Sequence, residues 1–120
     1  MDACIVLGVA SLAIALLLGS AAFAQTPPAP TDTVVTINTA NKFQQLLAAS
    51  GTPRRMLRIS NNNDNGESCW VFVASGRASK EGSYEVQPGK EYLRYPPFVP
   101  SDAIQATCAS SSDTLDVEYQ

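Results

Sequence analysis

The 120-residue chain contains no histidine. That absence removes the side chain that most often acts as a general base near neutral pH or as a zinc ligand. It also removes every Ser-His and Cys-His pair. There is no G-x-S-x-G, no S-x-x-K and no P-loop. Charge is sparse, at 16% of residues, and forms no block. The net charge of −3 argues against a nucleic-acid binder, which needs a basic surface to displace counterions. No N-x-[ST] acceptor is present, and cysteine is limited to Cys4, Cys69 and Cys108.

What the chain does have begins with an apolar leader. Residues 1–24 run apolar from Ile5 to Leu18 and end in Ala22-Phe23-Ala24, a small-x-small pattern of the kind signal peptidase cleaves. The run is shorter than the roughly 20 residues a bilayer span prefers. No Lys or Arg precedes it, which fits a start further upstream or an uncleaved anchor. A membrane therefore enters this reading only through the leader, if it is retained. Cys4 lies before the run, not at the cleavage point, so it is not a lipoprotein cysteine.

Without the leader, ten of the 11 acids remain against eight bases, a net charge of −2. Two cysteines remain, Cys69 and Cys108. In an exported, oxidising setting this even pair reads as a disulfide. A bridge over that span contributes about 4 kcal/mol through the unfolded chain's entropy. For a domain whose total stability is about 5–10 kcal/mol, that is a large share. The expected location is secreted or periplasmic.

Residues 25–33, QTPPAPTDT, read as a proline-stiffened linker. The unit from 34 to 120 has a period of two, not 3.6. Leu57 and Ile59 share a side, as do Tyr84 and Val86, as do Ile104, Ala106 and Cys108, and as do Leu115, Val117 and Tyr119. Gly, Pro, Asn and Ser clusters separate these runs. NKFQQLLAAS (41–50) fits a helix or a short strand equally. About seven short strands with one bridge predict an all-β antiparallel β-sandwich. CWVFV (69–73) is apolar on both sides, so its second face, with Trp70 and Phe72, needs cover from the N-terminal segment, a loop or another molecule.

NNNDNG (61–66) resembles a calcium loop in outline. Asn61, Asn63 and Asn65 fill ligating slots, and Gly66 fills the turn slot. The position that should hold a bidentate Glu holds Phe72, and Asp64 falls in a slot that does not ligate. A strand connection built on Asn-Gly explains the pattern better. Asp116 and Glu118 share a strand face, which a wetted face explains better than a carboxylate pair for catalysis. No metal or cofactor is expected.

Two features suit binding. Arg54, Arg55 and Arg58 cluster in PRRMLR, with Arg54 and Arg58 on one strand face, where they would meet an acidic partner or simply guard a strand edge. YLRYPPFVP sets Tyr92, Tyr95 and Phe98 around stiff prolines, as a recognition surface for protein or sugar rings, or as a cap on the core. The predicted contact residues are Trp70, Tyr92, Tyr95 and Phe98, flanked by Arg54 and Arg58.

The order FQQLLAAS, RRMLRISNN, CWVFVASGRAS, QPGKEY, VPSDAIQATC and TLDVEY resembles a group of small uncharacterised exported bacterial proteins. More loosely, it is similar to β-sandwich modules on bacteriophage heads and tails. Those carry R-x-L-x-I-x-N, matched here by Arg55, Leu57, Ile59 and Asn61. They also carry G-x-A (Gly76, Ala78), a P-G turn (Pro88, Gly89), P-x-x-x-I-x-A (Pro100, Ile104, Ala106) and a closing V-x-E, for which this chain has the adjacent pair Val117 and Glu118. The leader and the disulfide depart from the phage pattern. The resemblance implies a non-enzymatic structural or binding module and assigns no functional residue. The reading is an exported, non-catalytic module with a protein or glycan partner. The alternatives are a phage-derived particle protein and a small carboxylate-dependent hydrolase.

Overall fold

The computed structural model describes residues 29–120. The leader and residues 25–28 lie outside the described residues. The strands are β1 (Thr31–Thr36), β2 (Gln44–Leu47), β3 (Leu57–Ser60), β4 (Cys69–Phe72), β5 (Tyr84–Val86), β6 (Glu91–Arg94), β7 (Ile104–Cys108) and β8 (Thr114–Tyr119). They form two four-stranded sheets, ordered β1-β8-β3-β6 and β2-β7-β4-β5, and every pairing is antiparallel. The β-sandwich expected from the period of two is therefore present. It has eight strands instead of about seven, because residues 44–47 resolve as a strand.

The pairings β1·β8, β2·β7, β3·β6 and β4·β5 describe one long antiparallel ribbon, folded at the β4–β5 connection and wound so that successive pairs alternate between sheets. That winding is a jelly roll. Only the β4–β5 link stays within a sheet.

Strand alternation places the core. Leu57, Ile59, Leu115 and Val117 face inward from one sheet, and Cys69, Val71, Ile104, Ala106 and Cys108 from the other; all are fully buried. The opposite parity on β8 leaves Asp116 and Glu118 on the outer face, beside Asp32 and Arg58. In β2, Gln44 caps the end of β1: its amide donates to Thr36 O at 2.9 Å and accepts from Asn38 N at 2.8 Å. A bulge between Gln45 and Leu47 breaks the β2–β7 register. A helix over 41–50 would forfeit this cap and the pairing with β7.

Cys69 and Cys108 are direct register partners on β4 and β7 and are disulfide-bonded. The bridge joins neighbours within one sheet and does not cross the sandwich. The second face of CWVFV is covered from within the chain. Phe72 is buried, and a Cβ added at Gly82 would sit 3.3 Å from its ring. Lys80 Nζ lies 3.8 Å from the centre of the Trp70 ring and donates to Asn41 Oδ1.

Candidate functional site

Gln87-Pro88-Gly89-Lys90 carries the chain from β5, the edge of one sheet, to β6, the edge of the other. Lys90 N donates to Gln87 O at 2.9 Å, and Gly89 has φ 76°, as a tight turn with Pro then Gly at its centre requires. The turn brings two inward-facing tyrosines together. Tyr84 is the register partner of Val71 and Tyr92 that of Ile59. Their ring centres are 4.9 Å apart and tilted by 50°. The Arg94 guanidinium lies 4.5 Å from the Tyr92 ring and 5.1 Å from the Tyr84 ring. Cations prefer the negative face of an aromatic ring, so this stack holds itself in place.

Burial divides the stack. Tyr92 is 5% exposed and Tyr84 47%. Burial raises the Tyr92 hydroxyl above its ordinary pKa, and a hydrogen bond with Tyr84 raises Arg94. Immediately after β6 the chain turns through Tyr95-Pro96-Pro97-Phe98, closed by Phe98 N donating to Tyr95 O at 3.1 Å. Tyr95 is 61% exposed and Phe98 77%. One side of the sandwich thus presents Tyr84 beside Arg94, followed in the chain by two exposed aromatics on a stiff turn. Two depressions of about 240 and 470 Å³ occur elsewhere, and neither is lined by Tyr84, Tyr95 or Phe98. The aromatic edge thus exposes Tyr84, Tyr95 and Phe98 to solvent.

The six predicted contact residues do not form one group. Tyr95 and Phe98 are exposed as contact residues must be. Tyr92 belongs to the core. Trp70 lies half-buried on the opposite face of its sheet, under Lys80. Arg54 and Arg58 do not share a face. Arg54 precedes β3 and is 6% exposed; Nη1 donates to Pro100 O and Asp102 O, and Nη2 to Ala48 O. Burial lowers its pKa. It fastens the segments before β3 and β7 together from a buried position. Arg58 lies on the outer face, 2.5 Å from Glu118 and 3.9 Å from Glu91.

The asparagine stretch is an arch between sheets. Asn61 is fully buried; Nδ2 donates to Glu67 O and Val86 O, and Oδ1 accepts from Asn63 N and Nδ2. Asn63 bridges to Thr114 in both directions. Asn65 donates to Asp113 Oδ1 and accepts from Glu67 N. The three amides serve the backbone and Asp113, so they are not gathered toward a common cation. The chain crosses between sheets here instead of forming a hairpin.

Sequence reasoning missed four participants. Tyr84 and Arg94 are joined only by the turn. Asp32 lies within the stretch read as linker, yet it hydrogen-bonds Asp116 and raises its pKa. Asp113 is buried beside both cysteine sulfurs. Since those sulfurs are bonded to each other, the trio offers no thiolate. Comparison with family models, curated proteins and solved structures finds no match to this chain.

Proposed function

We propose that this protein is an exported, non-catalytic jelly-roll module that binds a protein or glycan of the cell envelope or exterior. Its contact surface is the aromatic edge made by Tyr84, Tyr95 and Phe98 with Arg94. The observation that carries the reading is the exposure of Phe98 and Tyr95, 77% and 61%, on a turn stiffened by two prolines. A large apolar ring held rigidly in water loses little entropy on binding, and such rings dominate contact energies. Large rings this exposed suit a macromolecular surface better than a small ligand, whose sites bury most of it. The disulfide fits an oxidising compartment, and no helix among the described residues is long and apolar enough to cross a membrane.

The test is retention on washed envelope fragments of the producing bacterium, comparing the wild-type chain with a Tyr95→Ala/Phe98→Ala variant of matched circular dichroism. The expected result is at least a tenfold loss of retention in the variant, and equal retention would refute the proposed surface. The jelly-roll winding favours a second reading, a phage-derived particle protein, because that fold recurs in viral capsids and in lectins. Co-sedimentation with phage particles, and not with envelope, is its distinguishing outcome.

A further inference from the structure

The sandwich has four edge strands, and three of them are blunted. β2 is four residues long and bulged, β5 is three residues long, and β6 is four residues long and runs straight into Tyr95-Pro96-Pro97. Short edges, bulges and prolines are the usual defences against pairing with another chain. β1 is neither short nor bulged, and its flanking proline, Pro30, lies before Thr31 and outside residues 32–36. It is six residues long, TDTVVT, in unbroken register with β8 from Thr31 to Thr36. Five of its six residues are β-branched, and its one charge is Asp32. Val34 is 65% exposed on the outer face of the sheet.

The free backbone groups of β1 can be assigned. Ile37, just past its end, donates to Asp113 O and accepts from Ser112 N, so it turns its backbone toward β8. By alternation Thr33 and Val35 do the same, and Asp32, Val34 and Thr36 turn theirs outward. Gln44 already takes the Thr36 carbonyl. Among the described residues this leaves both groups of Val34, both groups of Asp32 and the Thr36 N–H facing away from the sheet.

We infer that β1 is a self-pairing edge, which joins a second copy of this chain antiparallel across a twofold axis through Val34 and makes one continuous eight-stranded sheet. Opposed residues in an antiparallel pair share a face, so the core faces of both copies stay on one side only if residues of like parity meet. Two such registers overlap by five residues. With Thr33 on the axis, the Asp32 carboxylate lies against the partner's Val34 and loses water with no compensating bond. With Val34 on the axis, Val34 covers its own copy and exchanges two backbone hydrogen bonds with it. Each Thr36 N–H then meets the other copy's Asp32 carbonyl, and the Asp32 carboxylate lies beside a threonine hydroxyl. That register uses the groups Gln44 leaves free, and it separates the two Asp32 charges by about four strand residues, roughly 14 Å. It lies at the edge of its sheet opposite β6 and does not depend on the aromatic edge.

The test uses the chain expressed at full length, in the form the producing cell yields. Sedimentation equilibrium between about 10 and about 500 µM should show a reversible monomer–dimer equilibrium, since so small an interface is of the weak, transient class. Val34→Lys, at an exposed site, should keep the circular dichroism and weaken dimerisation at least tenfold. Val34→Cys should form an intermolecular disulfide at least tenfold faster than Ser111→Cys, an exposed position in the β7–β8 turn. A strictly monomeric wild type, an undiminished dimer in Val34→Lys, or equal cross-linking rates would each overturn the inference.

Discussion

Asn61→Asp separates the two readings of the NNNDNG stretch with a change of one amide to one carboxyl. If the stretch held calcium, Asp at its first position would strengthen the site, and the variant would gain stability from added calcium. In the arch, Nδ2 donates to Glu67 O at 3.0 Å and to Val86 O at 2.8 Å, inside a residue with no exposed surface. The carboxyl turns a donor into an acceptor aimed at two carbonyls. Each buried partner left unpaired costs about 1–3 kcal/mol, and the ionised group adds desolvation and repulsion, so the loss is at least about 3 kcal/mol. For a domain of this size that lowers the melting temperature by on the order of 20 °C. The buried carboxyl would hold its proton above the ordinary range, so the deficit should shrink from neutral pH toward about pH 4. Urea denaturation followed by circular dichroism reads the effect, with Asn62→Asp as the exposed control. A loss no greater than the control's, or a calcium-dependent gain, would refute the arch as described.

Three further outcomes follow from the packing. Reducing the Cys69–Cys108 bridge, whose partners are 39 apart in sequence, should cost about 4 kcal/mol in urea titrations; a loss under about 1 kcal/mol would mean that the bridge constrains little. Arg54→Met should cost about 3 kcal/mol by leaving three carbonyls without their donor, whereas Arg58→Met should cost under about 1 kcal/mol because its ion pairs are half-exposed; matched thermal melts compare them, and equal costs would contradict the burial difference. Asp116 is raised above its unfolded pKa, first by the hydrogen bond with Asp32, so its native state binds more protons and stability falls as pH rises from the unfolded value of 3.8 through the folded one. Asp116→Asn should therefore be the more stable form at neutral pH and the less pH-dependent across that window, as urea midpoints at several pH values would show.

The layers of the fold were legible because the period of two is carried by residues with strong preferences. Leu57 and Ile59, or Leu115 and Val117, can only be one face of a half-buried strand, and the core sits where they point. β1 and β2 were harder for opposite reasons. Thr31–Thr36 is β-branched but almost wholly exposed, so it shows no apolar alternation, and its neighbouring prolines drew its first residues into the linker. Gln44–Leu47 has helix-compatible spacing, and what makes it a strand is a non-local pairing with β7 together with the Gln44 cap. Neither is visible in a local window. The winding into a jelly roll is a property of which strands pair, and no local pattern encodes it.

The candidate site was half legible for a related physical reason. Parity along a strand says which face a side chain takes, but not whether that strand lies in the middle of a sheet or at its edge. In β6, Tyr92 and Arg94 lie on one face. Only the pairing of β6 with β3 alone makes that face end at an open side, where Tyr84 arrives from the other sheet to complete the stack. The same ignorance of edges misplaced Arg54, whose parity matches Arg58 but which precedes the strand, where its guanidinium reaches three carbonyls of 48–102 instead of solvent. Edges are where backbone groups and aromatic rings remain unspent, and both contacts proposed above lie at them. Sheet β1-β8-β3-β6 has one terminal strand beside the aromatic stack and the other, β1, unblunted. A module built this way can engage a partner at one end of the sheet and a copy of itself at the other, because the core between them contributes to neither contact.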